Sequence, residues 1–181
     1  MDAFEQLVSE ILWMEGYWVH PSLKVELTKE EKRLIGRHSA PRWELDIVAY
    51  QARTNILHVV ECKSYLDSTG VAAAAFDGSN LKASERYKLF NETLLRKVVF
   101  RRLCKQLAEA GACRKNPRVQ LALACGKIKS EADRKKLHAH FKKKGWALWD
   151  EAWLRARIRH MATQGYENQV ASVVVKLLLR E

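Results

Sequence analysis

The sequence predicts an α/β fold in which a mixed sheet is flanked by helices, and three observations support this fold class. The chain begins with apolar residues at helical spacing. Two β-rich stretches, 43–50 and 55–65, are separated only by the short polar segment QART, which is the pattern of a hairpin. A long helical stretch then leads to a buried strand at 118–128, and a helix that joins two strands implies that they are parallel.

The first third of the chain predicts one helix and the first strand. The helix covers residues 3–15 and has an apolar stripe formed by Phe4, Leu7, Val8, Ile11 and Leu12. Residues 17–27 predict a strand that is interrupted or ends near Pro21. The polar and basic segment 28–42 predicts a loop with a helical turn at its acidic start. With the hairpin, this gives a helix followed by three antiparallel strands.

The remaining elements follow from periodicity and capping. Residues 71–80 are small and favour no single element, whereas residues 84–110 predict one long basic helix. After the buried strand at 118–128, residues 130–145 predict an exposed basic helix that is capped by its first serine. A last strand is expected at 146–150, and extra C-terminal helices should follow it.

Composition favours one globular domain with a polyanionic partner. No repeat or linker interrupts the chain, so a single domain is expected over residues 1–181. There are 32 Lys and Arg residues against 21 Asp and Glu residues, a formal net charge of +11. Such a charge attracts nucleic acid, although a solvated basic surface without a partner gives the same balance.

The cysteines and the hydropathy pattern exclude several classes of protein. Cys62, Cys104, Cys113 and Cys125 show no C-x-x-C spacing, so neither a zinc site nor a dense disulfide framework is predicted. They are expected to be buried thiols in a reducing cytosol. No apolar run approaches the roughly 20 residues that span a bilayer, and the N-terminus lacks an export signal. A cytoplasmic protein without a membrane partner is therefore expected.

The hairpin brings acidic residues and a lysine towards each other. With a period of two, Glu44, Asp46 and Val48 should share one face of the first hairpin strand. Glu61 and Lys63 should share one face of the second strand. If the hairpin pairs, these carboxylates and the ammonium group converge. Glu61 and Lys63 could also be a surface ion pair, which contributes only about 0–1 kcal/mol.

Clustered carboxylates repel one another and lose hydration, so they need a compensating cation. A hard divalent ion such as Mg²⁺ would take oxygen ligands from Asp46, Glu61, the backbone carbonyl of Cys62 and water. The Lys63 ammonium group could stabilise negative charge on a phosphoryl oxygen. The pattern thus outlines a phosphodiesterase site, in which Glu44 is a solvated or substrate-side neighbour rather than a ligand.

The segments ELDIVAY and HVVECKSY carry a resemblance to a known family. They resemble the D-x(n)-E-x-K signature of the PD-(D/E)XK nuclease superfamily, in its Mrr-like or Holliday-junction-resolvase-like branch. The similarity covers about residues 1–155, with Leu45 in place of the name-giving proline. The resemblance implies a restriction-endonuclease-like αβββαβ core with a mixed central sheet. These branches carry a further glutamate on the first helix, and Glu5 fits that position better than Glu10 or Glu15 because it borders the buried stripe.

The resemblance also implies an activity. It implies a Mg²⁺-dependent endonuclease acting on DNA, with Mn²⁺ as a substitute and with Glu5, Asp46, Glu61 and Lys63 as the catalytic residues. Glu5 would support the cluster or a second ion, and a homodimer is a further implication. A non-catalytic module for nucleic-acid binding or assembly is the alternative, and the sequence does not separate DNA from RNA as the substrate.

Four further residues are candidate contacts to nucleic acid. Arg37, His38 and Arg42 lie on the basic loop before the Asp46 strand, and arginine suits the forked recognition of phosphate. A flexible basic loop explains them equally well. Ser64 follows the E-x-K motif and could contact a phosphate, as could Tyr65 after it, although ordinary strand packing explains both equally well.

Overall fold

A computed structural model describes residues 2–39, 42–165 and 169–179. Five strands form one sheet in the order β1-β2-β3-β4-β5. The strands are β1 (Trp18–Val25), β2 (Trp43–Gln51), β3 (Ile56–Lys63), β4 (Arg118–Cys125) and β5 (Ala147–Trp149). β1, β2 and β3 are antiparallel, whereas β3, β4 and β5 are parallel. The predicted α/β class with a mixed sheet is therefore confirmed, as is the parallel pairing of the strand that follows the crossover.

Helices cover both faces of the sheet. They are α1 (Ala3–Met14), α2 (Lys29–Leu34), α3 (Leu81–Ser84), α4 (Lys88–Asn91), α5 (Thr93–Glu109), α6 (Glu131–Lys144), α7 (Glu151–Thr163) and α8 (Val170–Leu179). Two single 3₁₀ turns lie at Ala73–Ala75 and Glu85–Tyr87. Among the described residues, no helix combines the length and the apolar character that crossing a membrane requires.

Two apolar clusters pack against opposite faces of the sheet. In β3, Leu57 and Val59 belong to the cluster beneath α5 and α6, whereas Val60 and Cys62 belong to the cluster beneath α1 and α7. This alternation is the period of two that a strand buried on both faces requires. β4 alternates in the same way. The centre of the sheet is thus fixed by packing on both sides.

α1 forms because residues at both ends favour a helix of this length and because its apolar residues lie on one face. Asp2 caps the helix, and Glu5 returns a hydrogen bond to the Asp2 backbone N–H, which completes a capping box. The buried stripe contains Phe4, Val8, Ile11 and Leu12. Gly16, with φ +82°, ends the helix in a conformation that favours glycine. The predicted first helix is confirmed.

Two predictions from the sequence need correction. The strand end predicted near Pro21 is wrong, because β1 is an edge strand, where proline is tolerated, and it continues to Val25; the predicted interruption is found at the next residue, Ser22, which the pairing with β2 skips. The single helix predicted over 84–110 is wrong, because the chain is extended at Glu92 (φ −97°, ψ 95°) between α4 and α5. Arg96 donates hydrogen bonds to the carbonyls of Leu89 and Phe90 at 2.7 and 3.0 Å, which satisfies groups that the break releases.

The ends of β3 and β4 approach each other closely. The Gly126 N–H donates to the Lys63 carbonyl at 3.0 Å. A Cβ atom at Gly126 would lie 2.3 Å from the Ser64 carbonyl oxygen, so only glycine fits there. The end of β3, which carries the E-x-K motif, is therefore held against β4 by backbone contacts.

We expect Gly126→Ala to lower the free energy of unfolding by about 1–3 kcal/mol, because the added methyl group overlaps the Ser64 carbonyl. Urea unfolding followed by circular dichroism measures the change. Gly165→Ala is the matched control, since a Cβ atom there meets nothing within 4 Å. Equal stabilities of the two variants would contradict the close packing at Gly126.

Candidate functional site

The hydrogen-bond ladder between β2 and β3 ends one residue before the candidate acids. Its last pair is Ile47 with Val60, so the next pair, Asp46 with Glu61, is not part of the ladder. The Cys62 N–H instead donates to the Asp46 Oδ2 atom at 2.8 Å. A side-chain acceptor thus replaces a backbone acceptor where the two strands separate, which keeps the Cys62 N–H satisfied.

The strict alternation predicted for Glu44, Asp46 and Val48 is wrong. Leu45 packs in the same cluster as Val48, whereas Ile47 packs on the opposite face. Leu45 and Ile47 would share a face in a regular strand, so the alternation breaks at Asp46. Ser22 lies opposite Asp46 in β1 and has φ +50°, a left-handed conformation that distorts β1 at the same point. The left-handed backbone at Ser22 and the break in alternation at Asp46 together set the direction of the Asp46 side chain.

Glu61 and Lys63 form a close ion pair at the end of β3. The Lys63 Nζ and Glu61 Oε1 atoms are 2.5 Å apart, and both side chains are 21% exposed. Burial raises the pKa of Glu61, although the Lys63 charge opposes this rise. Burial also disfavours the charged form of Lys63, but the Glu61 carboxylate outweighs it and raises the pKa of Lys63. Lys63 is therefore a cation at neutral pH.

Glu5 lies near enough to Asp46 and Glu61 to interact with them electrostatically. Burial raises the pKa of Glu5, and the nearby Asp46 carboxylate raises it further. The other two glutamates considered for this position have different contacts. Glu10 accepts a hydrogen bond from the Ala171 N–H, and Glu15 forms an ion pair with Arg157. Of the three glutamates, Glu5 is the one that interacts with the acids of β2 and β3.

The Cys62 backbone offers a carbonyl at the same place. In a strand, the N–H and C=O of one residue point towards the same neighbouring strand. The Cys62 N–H points to Asp46, so its carbonyl also faces the separation between β2 and β3. The side chain of Cys62 lies in the apolar cluster beneath α1, and burial raises the pKa of its thiol. Cys62 can therefore contribute its carbonyl oxygen but not a thiolate.

Asp46, Glu61 and the Cys62 backbone offer oxygen atoms of the kind that a hard cation accepts. Asp46 and Glu61 each use one carboxylate oxygen in the hydrogen bond or ion pair described above, and each has a second oxygen. With the Cys62 carbonyl, these are the oxygen donors that Mg²⁺ accepts alongside water. Within residues 2–39, 42–165 and 169–179, no group of three or more His, Cys, Asp or Glu side chains is arranged to hold a metal ion. The set described here contains two side chains and one backbone carbonyl.

The predicted nucleic-acid contacts have other partners in this structure. Arg37 forms two hydrogen bonds of 2.8 Å with the Glu92 carboxylate and lies over the Trp43 ring. Arg42 forms an ion pair with Glu26. These contacts favour a structural role for Arg37, which ties the loop before β2 to the start of α5.

The other two predicted contacts differ in exposure. His38 is exposed and borders a shallow surface cavity with Lys29 and Arg33. Ser64 is half-buried directly after the E-x-K motif, and its carbonyl faces Gly126. Of the four residues, Ser64 is the one that adjoins the Glu61–Lys63 pair along the chain.

Two tyrosines lie beside the acids, and of these only Tyr65 was considered from the sequence. Tyr87 is buried, and its phenol interacts with the Tyr65 hydroxyl and with the Glu61 charge; burial raises the pKa of Tyr87. Tyr65 has φ +46°, an uncommon conformation for a bulky residue that costs about 1–3 kcal/mol. Tyr65 lies two residues after the motif, and this position indicated it as a possible phosphate contact. Nothing in the local pattern around Tyr87 indicates its proximity to Glu61.

Comparisons with family models, curated proteins and solved structures find no match for this chain. The resemblance to PD-(D/E)XK nucleases therefore stays a prediction from the sequence motif. Independently of that resemblance, Asp46, Glu61, Lys63 and Glu5 of α1 lie close enough to interact electrostatically at the end of β3.

In the metal-free protein, we expect Asp46→Asn to lower the pKa of Glu61, because the like charge of Asp46 contributes to its elevation. The asparagine oxygen can still accept from the Cys62 N–H, so the local fold is retained. Carbon-detected NMR titration of the carboxyl groups measures the pKa. Glu44→Gln is the control, since Glu44 is exposed on the same strand. A Glu61 pKa that does not respond to Asp46→Asn would show that the two acids are not coupled.

Proposed function

We propose that this protein is a metal-dependent nuclease that hydrolyses phosphodiester bonds, acting on DNA as an endonuclease. The observation that carries the proposal is the meeting of Asp46, Glu61 and Lys63 where β2 and β3 separate. A site made of two acids and one lysine has the charges that phosphoryl transfer needs. The net charge of +11 supports a polyanionic substrate.

The element order supports the proposed nuclease core. Apart from the short helices α2, α3 and α4, the elements run in the order α1, β1, β2, β3, α5 and β4, which is a helix, three antiparallel strands, a crossover helix and a parallel strand. This is the αβββαβ order implied by the D-x(n)-E-x-K resemblance. β5, α6, α7 and α8 extend it towards the C-terminus.

Asp46, Glu61 and the Cys62 carbonyl would hold a divalent cation, Mg²⁺ or Mn²⁺. When bound, such a cation promotes the ionisation of water and offsets the charge of a phosphate group. The chain's own acids would fix its position, because β2 and β3 are anchored on both faces by the core. Glu5 would hold part of the water shell around these acids or a second ion.

Lys63 would neutralise the phosphate during the reaction. Its ammonium group is half-buried and is held in place by Glu61 at 2.5 Å. A cation in a partly buried site interacts more strongly with developing negative charge than one in water. Because Lys63 is protonated at neutral pH, it would act through its charge rather than as a base.

We expect the wild-type protein to cleave plasmid or branched DNA in the presence of Mg²⁺ or Mn²⁺ and to lose activity in EDTA. Asp46→Asn and Lys63→Ala should each reduce the cleavage rate by at least about 100-fold, because each removes a charge that acts on the reacting phosphate. Gel analysis of initial rates provides the measurement. Glu44→Gln should retain activity, since Glu44 is an exposed acid two residues from Asp46.

The outcome decides between the nuclease and the alternative of a non-catalytic nucleic-acid-binding module. A nuclease requires Asp46 and Lys63 but not Glu44. If cleavage by Asp46→Asn or Lys63→Ala equals that of the wild type, the assigned site is wrong. If no nucleic acid yields products under any condition while DNA binds without a divalent cation, the binding module is the better description.

Cation binding can be tested without any reaction. We expect Mn²⁺ to bind the wild-type protein and to raise its melting temperature, because a ligand that binds only the folded state stabilises that state. Isothermal titration calorimetry and thermal unfolding measure both effects. Asp46→Asn should abolish them, and Glu44→Gln should not. Equal Mn²⁺ binding by both variants would exclude Asp46 as a ligand.

A further inference from the structure

A cavity of about 300 Å³ lies beside the candidate site, where the chain continues past the end of β3. Its walls come from the chain after β3, from the 3₁₀ turn at Ala73–Ala75, from the segment around α3 and from the loop after β4. A volume of this size corresponds to the lower end of pockets that enclose small organic ligands, about 300–1,000 Å³. It is therefore large enough for one phosphate group with its sugar.

The positive charges around the cavity favour an anionic ligand. Lys82, Arg86 and Lys129 line it, and all three side chains are exposed at its rim. None of the described residues that line it is an Asp or Glu. Asn80 also borders it; its side-chain oxygen accepts from the Ala83 N–H, so its NH₂ group is the end that can donate to a ligand.

A chain of polar contacts connects the cavity to the acids. The Arg86 guanidinium donates to the Tyr65 hydroxyl at 3.5 Å, and the phenols of Tyr65 and Tyr87 interact with each other. Tyr87 in turn interacts electrostatically with Glu61. Tyr65 also interacts with the Lys63 charge. The cavity and the Glu61–Lys63 pair therefore share Tyr65 and Tyr87 as a common wall.

The backbone holds this wall in place. Gly70 borders the cavity with φ +90°, and a Cβ atom there would lie 2.9 Å from the backbone of Ile128 and Lys129. Val71 forms a bridge with Ile128, and its N–H donates to the Lys127 carbonyl at 3.0 Å. The loops after β3 and β4 are thus joined, so the cavity is formed before any ligand binds.

We propose that this cavity is a subsite for one nucleotide of the substrate strand, next to the phosphate that is cleaved, with Lys82 and Arg86 contacting the nucleotide's phosphate. The inference rests on the proposed nuclease function, which places the cleaved phosphate at Asp46, Glu61 and Lys63. Consecutive phosphates of one strand lie close together, so a cationic cavity that shares a wall with those residues is suited to the neighbouring phosphate.

The test compares two double variants that remove the same charge. Lys82→Ala with Arg86→Ala changes two exposed residues of the cavity. Lys115→Ala with Arg53→Ala changes two exposed residues in the loops that precede β4 and β3, at the opposite end of these strands. Fluorescence anisotropy with a labelled single-stranded DNA oligonucleotide in EDTA measures binding without cleavage. Titration with KCl gives the slope of log K against log salt concentration.

We expect the cavity variant to reduce the magnitude of this slope by about 1.4, which is about 0.7 for each of two lost phosphate contacts on a single strand. The control variant should keep the wild-type slope, and the conservative pair Lys82→Arg with Arg86→Lys should also keep it. Equal slopes for the cavity variant and the control would overturn the subsite.

The two proposals fail in distinguishable ways. If the wild type cleaves DNA but the cavity variant binds with the slope of the control, the nuclease stands and the subsite is wrong. If no cleavage occurs but the cavity variant alone has a smaller slope than the wild type, the nuclease is wrong and the cavity is still a phosphate-binding site. If Asp46→Asn stops cleavage and the cavity variant alone has the smaller binding slope, both proposals are supported.

Discussion

The separation of β2 and β3 after Ile47 and Val60 is the constraint on which the candidate site depends. Where a ladder ends inside a sheet, backbone groups lose their partners, and an unpaired buried N–H costs about 1–3 kcal/mol. Asp46 offsets this cost by accepting from the Cys62 N–H at 2.8 Å. The same acid then lies beside Glu61. The hydrogen bond to Cys62 thus positions the same carboxylate to which the proposed function assigns a metal ion.

The cluster that results is under electrostatic stress. Burial raises the pKa of Glu61 and of Glu5, and the Asp46 charge adds to both shifts. A carboxyl group whose pKa is higher in the folded state than in the unfolded state stabilises the fold less as pH rises through the folded pKa. These acids therefore disfavour folding when ionised. Lys63 relieves part of the repulsion, and a divalent cation would relieve more.

The sequence predicted the parts of the molecule that follow from local pattern. The alternation of β3 predicted that Glu61 and Lys63 share a face, and the stripe of α1 predicted that Glu5 borders the sheet. The direction of Asp46 could not be predicted, because it depends on the left-handed φ of Ser22 in another strand. The break at Glu92 depends on Arg96 satisfying carbonyls of α4, which helical spacing does not reveal.

The position of the cavity follows from the parallel part of the sheet. Parallel strands have their C-terminal ends on the same side of the sheet, so the loops after β3 and β4 must lie side by side. In open α/β sheets, ligands bind beside these C-terminal strand ends. Here Gly70 and Gly126 let the two loops touch, because a Cβ atom at either would overlap backbone atoms of the other loop. The close loops bring Lys129 and Tyr65 into one wall. Strand direction therefore places Lys129 at the same end of the sheet as the Glu61–Lys63 pair.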